Sequence, residues 1–181
     1  MSEDKYCCPI GAIYHLRNSQ FIKAIGLPSG KGEDLAFAAI NRSPIIPGDL
    51  SSLYAAEIRP FSLMLLPVRH TIHSHATNDE LASLRDLQGE MLEKMVTIYE
   101  PHGFMPFVVE NPYAPHASIS SHMHRHLVPS PVDQFTGGGT MNLRSLTLSA
   151  NYHLGVPLDL SCDGVALDNS YYEEVCDLLK K

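Results

Sequence analysis

Hydrophobic and polar residues fall into short blocks along this chain, and the blocks predict an α+β domain. The clearest block is helical. Leu81, Leu84, Leu87, Met91, Met95 and Tyr99 recur at steps of three and four, so a helix over 79–99 carries one apolar face. Thr77 with Glu80 forms a capping-box pattern ahead of it, and Pro101 and Gly103 end it. Leu35 to Ile40 and Phe61 to Leu66 are apolar runs of strand length, the second stopped at Pro67. Phe104 to Glu110 reads as an edge or interrupted strand, because Pro106 has no N–H to give to a ladder. His122 to Val128 is a further strand. Ala12 to Leu16 and Phe21 to Ile25 flank Arg17-Asn18-Ser19-Gln20 and read as a hairpin. Gly26 to Asp34, Asn111 to Ala117 and Gly137-Gly138-Gly139 are loops, Leu143 to Leu148 has strand character, and residues 49–60 are ambiguous. Ser170 with Glu173 opens a short terminal helix to Leu179.

Length and composition narrow the picture. At 181 residues and 20.0 kDa the chain is the size of one domain, with 44% hydrophobic and 18% charged residues. That is enough apolar material for a core and too little charge for a disordered chain. The net charge of −7 argues against a duplex nucleic-acid binder that works by neutralising phosphates. It leaves room for a small anionic ligand in a locally positive pocket. Four cysteines, with Cys7 and Cys8 adjacent, do not make a disulfide framework and fit a reducing compartment. The start of the chain has no signal-peptide pattern. Phe61 to Val68, its most apolar run, falls short of the ~20 residues a membrane helix needs. A soluble, cytoplasmic protein with no membrane partner is expected.

The candidate chemistry lies in the histidines. Eight of the ten fall between His70 and His126, and three of them alternate in His122-Met123-His124-Arg125-His126. On a strand, alternate side chains share a face, so His122, His124 and His126 project from one side and Met123, Arg125 and Leu127 from the other. Three imidazoles in register serve two chemistries. They could ligate a metal, with His73 and His75 as a second His-x-His pair. Alternatively one of them, neutral near physiological pH, could attack a phosphorus atom while its neighbours bind phosphate oxygens and protonate the leaving group.

His122 to Val128 resembles the His-φ-His-φ-His-φ-φ motif of the histidine triad (HIT) superfamily of nucleotide hydrolases and transferases, where φ is apolar. Other segments agree in order. Leu35 to Gly48, with Asn41-Arg42-Ser43-Pro44, is similar to the family's first core strand and its turn, closest to the fragile-histidine-triad branch. Leu65-Leu66-Pro67-Val68-Arg69-His70 resembles the strand end that precedes the family's helix, and Glu110-Asn111 and Ala117-Ser118 stand at the spacings of its polar pre-triad positions.

The resemblance implies a HIT-like fold: an antiparallel sheet of about five strands with one main helix on one face and the triad lining a nucleotide pocket on the other. It implies a HIT-like domain over 34–133, an N-terminal extension over 1–33 with the hairpin and loop, and a C-terminal extension over 134–181 with the short helix. His124 matches the family's nucleophile, which forms a covalent nucleotidyl-histidine, and His122 and His126 match the flanking residues that orient it and bind phosphate. Asn41 matches the ribose-binding position, and Asn111 and Ser118 match polar positions near the phosphates. The implied activity is hydrolysis at the α-phosphorus of a nucleotide conjugate, such as a dinucleoside polyphosphate or a phosphoramidate. A nucleotidyltransferase or phosphorylase, a His-ligated metal hydrolase and a non-catalytic nucleotide binder are the alternatives. No cofactor or resident metal is required, though Mg2+ could assist a polyphosphate leaving group, and a homodimer fits the pattern.

Four departures stand out. Arg125 occupies a position that is usually apolar, and it is expected to reach the sheet edge or a carboxylate, either Asp86 or Glu93 of the helix or an acidic residue within 159–177. Ala117-Ser118-Ile119 replaces the common Gly-Gln and the Ser or Thr after it. The extra His that many relatives carry at the start of the second core strand is replaced by Asp49 or Ser62. Cys8-Pro9-Ile10-Gly11 lacks the second Cys of a zinc pair. His73 and His75 are expected in the loop before the helix rather than as ligands.

Overall fold

The structure is a computed structural model that describes residues 9–17, 20–26, 32–41, 50–110, 122–132 and 169–180. Its elements are α1 (Pro9–Leu16), β1 (Phe21–Ile25), β2 (Ala36–Ile40), α2 (Ser51–Ala55), β3 (Leu63–Pro67), α3 (Asn78–Tyr99), β4 (Phe104–Glu110), β5 (Arg125–Pro131) and α4 (Asn169–Lys180). The strands form one antiparallel sheet in the order β1-β2-β3-β5-β4. Expected features that fall outside the described residues are the 111–117 loop, the glycines at 137–139, the strand at 143–148 and the side chains of Asn111 and Ser118.

Apolar alternation sorts the sheet into two faces. Ala36, Ala38, Ile40, Leu63, Leu65 and Leu127 join Leu84, Leu87, Met91, Met95 and Tyr99 of α3 in the main core. Tyr171, Tyr172, Val175 and Leu179 of α4 complete that core. On the opposite face Phe37, Ala39, Met64 and Leu66 are covered by Ile13 and Tyr14 of α1. The interior strands β2 and β3 are buried along their whole length, as apolar layers on both sides demand. The α3 capping box is formed, with Glu80 N–H on Thr77 Oγ1 at 3.2 Å and Thr77 N–H on Glu80 Oε2 at 2.7 Å. Gly103 closes the turn after α3 at φ 81°, a left-handed conformation that costs glycine nothing. β4 is an edge strand, and its Pro106 stands opposite Pro129. No helix of the described residues is long and apolar enough to cross a membrane.

Two expectations are corrected. Residues 12–25 are not a hairpin: α1 occupies 9–16, and β1 pairs with β2, Ala24 opposite Phe37. The Ala12 to Leu16 run turns helical because Pro9 suits a first helical turn and Ile13 and Tyr14 then meet the apolar sheet face together. The helix stops at Arg17, φ 47°, whose guanidinium stacks on the rings of Tyr14 and Phe21 at 4.2 and 4.0 Å and meets Asp34 at 3.1 Å. The last strand is also displaced. It runs over Arg125–Pro131, so His122, Met123 and His124 precede the ladder. Its N-terminal approach is instead held by Met123 N–H on Thr71 O at 2.7 Å. The residues expected to form extensions supply a strand of the sheet, β1, and the core helix α4.

Candidate active site

The three histidines share the sheet face away from α3, as their alternation predicts. Met123 and Leu127 go to the α3 core, and Arg125 Nη1 donates to Gln88 Oε1 of α3 at 3.0 Å. The guanidinium thus leaves the imidazole face, and on α3 it meets an amide in place of the carboxylate of Asp86 or Glu93; of the tail segment also expected to supply a carboxylate, 159–168 lies outside the described residues. His126, within β5, stands level with Met64 and Val109, and Met64 with Ala39. His124 lies one pleat further along, its ring 4.9 Å from that of His126 in an edge-to-face arrangement. All three are enclosed, at 3% exposure for His122, 4% for His124 and 7% for His126.

Backbone carbonyls decide the state of two imidazoles. A carbonyl oxygen can only accept, so the ring nitrogen facing it carries the proton. His122 Nε2–H donates to Pro67 O at 2.9 Å. His124 Nδ1–H donates to His122 O at 2.9 Å, which puts the lone pair of the neutral ring on Nε2. Burial pushes the His122 pKa down to about 4, partly opposed by the Pro67 carbonyl and reinforced by His70 and His124. Burial likewise lowers that of His124, opposed by the His122 carbonyl. Both rings are therefore neutral near pH 7, and the unprotonated nitrogen of His124 is Nε2.

The loop 68–77 fastens this arrangement. Arg69 makes a two-pronged contact with Glu80, 2.8 Å to each carboxylate oxygen, and donates to His75 O at 3.0 Å. His70, which alternation did not mark as a site residue, stacks on His122 with ring centroids 4.9 Å apart. Its only sequence signal was its place in the Pro67-Val68-Arg69-His70 segment. His73 and His75 lie exposed in a 3-10 turn just before α3, as the loop reading expected. Among the described residues no three His, Cys, Asp or Glu side chains are grouped as ligands that could hold a metal ion.

Asn41 follows β2, is buried at 6% exposure, and donates its N–H to Ser62 O at 2.9 Å. It is two strands across from β5, roughly 10 Å, and toward the opposite end of the face from His122. Asn111 and Ser118 lie outside the described residues.

No protein-family model and no curated protein matches this sequence. Solved structures do. A Hit-like protein involved in cell-cycle regulation from Bartonella henselae is 9% identical, with 98% of this chain and 99% of that one aligned and a TM-score of 0.52. Histidine triad nucleotide-binding protein from Candida albicans is 17% identical over 82% and 97% of the two chains, TM-score 0.45. Diadenosine triphosphate hydrolase of Plasmodium falciparum is 12% identical over 76% of each, TM-score 0.43. The five-stranded antiparallel sheet, and its agreement with the Bartonella structure over nearly the whole of both chains, show that this protein has the HIT-like fold of the histidine triad proteins.

Proposed function

We propose that the protein is a nucleotide-binding hydrolase in which His124 attacks the α-phosphorus of a nucleotide conjugate. The observation that carries this reading is the hydrogen bond from His124 Nδ1 to the His122 carbonyl, which leaves Nε2 of a buried, neutral ring unprotonated. In the first step Nε2 forms a bond to phosphorus, the bond from phosphorus to the leaving group breaks, and the leaving group takes up a proton from solvent, which the attacking water of the second step returns. The preorganised Nδ1 bond stabilises the positive charge that develops on the ring. In the second step water breaks the phosphorus–nitrogen bond, releasing a nucleoside monophosphate and restoring neutral His124. His126 binds phosphate oxygens, His122, whose Nε2–H is taken by the Pro67 carbonyl, orients His124 through its own carbonyl, Asn41 holds the ribose, and Asn111 and Ser118 contribute near the phosphates. The chemistry needs no cofactor, and Mg2+ helps only where the leaving group is a polyphosphate. The fragile-histidine-triad branch, a homodimer and a cytoplasmic setting belong to the same proposal.

A fluorogenic adenosine phosphoramidate tests it. Wild-type protein is expected to release the fluorophore and AMP, and quenched mixtures to contain protein heavier by one AMP on His124. Transfer to added phosphate in place of water would identify a phosphorylase. Turnover by His124→Ala at the wild-type rate, or loss of wild-type turnover in EDTA with recovery on adding zinc, would overturn the mechanism.

A further inference from the structure

Ser62 stands on the imidazole face with a hydroxyl that no described residue uses. Phe61, Leu63 and Leu65 point into the α3 core, while Met64 and Leu66 belong to the opposite cluster, so Ser62 shares the face of the triad. It is fully buried, and among the described residues its Oγ has no hydrogen-bond partner. An unsatisfied buried hydroxyl is destabilising, and alanine would fill the same place without that cost.

The position is held rigidly from the other side. Tyr99 Oη accepts from Phe61 N–H and donates to Phe61 O, both at 2.8 Å, and Tyr171 Oη donates to Pro60 O at 3.2 Å. Two buried tyrosines on two helices therefore pin the backbone just before Ser62, and the segment cannot readily shift to give the hydroxyl a partner. The other orphaned hydroxyl among the described residues, Ser83, sits within α3, where a small χ1 rotation brings a serine to the carbonyl one turn back. Ser62, in extended chain, has no such local acceptor.

Its neighbours indicate the ligand. Asn41 is directly opposite it across the β2–β3 ladder, and such pairs hold their Cβ atoms about 5 Å apart. His126 is one pleat further along the same face, beside Met64. We infer that Ser62, together with Asn41, hydrogen-bonds a sugar hydroxyl of the substrate and sets a preference for ribonucleotides. This rests on the function proposed above. It places the sugar in the Asn41–Ser62 row and leaves the phosphorus to the rows of His126 and His124.

The test compares wild type and Ser62→Ala on the fluorogenic adenosine phosphoramidate and on its 2′-deoxy and 3′-deoxy forms, with thermal unfolding of both proteins. Wild type is expected to favour the ribose form by kcat/KM. Ser62→Ala is expected to lose about tenfold of that preference against at least one deoxy form, and to unfold at the same or a higher temperature. An unchanged preference in Ser62→Ala, with wild type active, overturns this inference and leaves the nucleotide reading standing. So does a Ser62→Ala protein that unfolds several degrees lower with its preference intact, since the hydroxyl would then be structural. Wild type that neither binds nor turns over any of the three compounds overturns both.

Discussion

Phe61 and Tyr99 are joined at both polar atoms of the Phe61 backbone, so one phenol on the last turn of α3 satisfies an N–H and a C=O that no strand reaches. Their rings also pack, with centroids 5.2 Å apart, and both side chains are fully buried. This contact fixes the approach to β3 and therefore the spacing between Ser62 and the triad. Tyr99→Phe keeps the ring and leaves two buried backbone groups unpaired. A loss of about 2–4 kcal/mol is expected, read as a lower denaturant midpoint at unchanged m-value. A variant within 0.5 kcal/mol of wild type (roughly the neutral range for a surface change) would show that water replaces the phenol.

His124 variants separate binding from chemistry. His124→Ala and His124→Asn are both expected to lose on the order of 10³-fold or more in kcat. The Asn amide roughly fills the place of the imidazole, so His124→Asn should retain AMP affinity, measured by calorimetry. Loss of affinity in His124→Asn with normal thermal stability would mean that the ring binds the nucleotide as well as attacking it.

Acid should destabilise the fold for two reasons that act in the same direction. Burial holds His122 neutral down to a pKa of about 4, against an ordinary 6.5, so the unfolded chain binds the extra proton between those values. Stability from this source is present above pH 6.5 and is lost as pH falls toward 4, up to about 3 kcal/mol in all. Burial raises the Glu80 pKa, but the Arg69 contact and the Thr77 bonds lower it by more, so its stabilising charge is also lost on acidification. Denaturant midpoints at pH 7.5 and pH 5 should differ, and His122→Asn should flatten the difference. An equal pH dependence in His122→Asn would place the titration elsewhere.

Arg125 lies on the face opposite the three histidines. Arg125→Leu is expected to keep kcat within about twofold, because the side chain bonds Gln88 of α3. Its stability should change, since a half-buried guanidinium and an amide acceptor are exchanged for apolar contact. A large fall in kcat at unchanged stability would show that the guanidinium reaches the substrate side.

Glu80 ties the loop beside the triad to the start of α3. Glu80→Ala removes both the bond to the Thr77 N–H and the acceptor of Arg69, and a loss of about 1–3 kcal/mol is expected. Because the same loop carries His70 against His122, turnover should fall as well, by less than in His124→Ala. Unchanged turnover would show that His122 keeps its place without the Arg69–Glu80 contact.

The features legible in the chain by itself were those set by local chemistry. The three- and four-residue spacing of Leu84, Leu87, Met91, Met95 and Tyr99 specifies a helix face wherever it packs, and Thr77 with Glu80 closes its start within four residues. Pro106 confines β4 to an edge because it lacks a donor, and the two-residue alternation puts His122, His124 and His126 on one side. What tertiary structure decided were the partners. Ala12 to Leu16 suits a strand as well as a helix, and only the apolar face of Phe37, Ala39, Met64 and Leu66 selects the helix by meeting Ile13 and Tyr14 together. The same holds for the pairing of β1 with β2, for Gln88 as an acceptor for Arg125, and for His70 against His122. The protonation of the site is the sharpest case. The sequence shows three imidazoles, but which nitrogen of His122 carries the proton depends on the carbonyl of Pro67, on another strand, because a hydrogen bond is fixed by position in space and not by order along the chain.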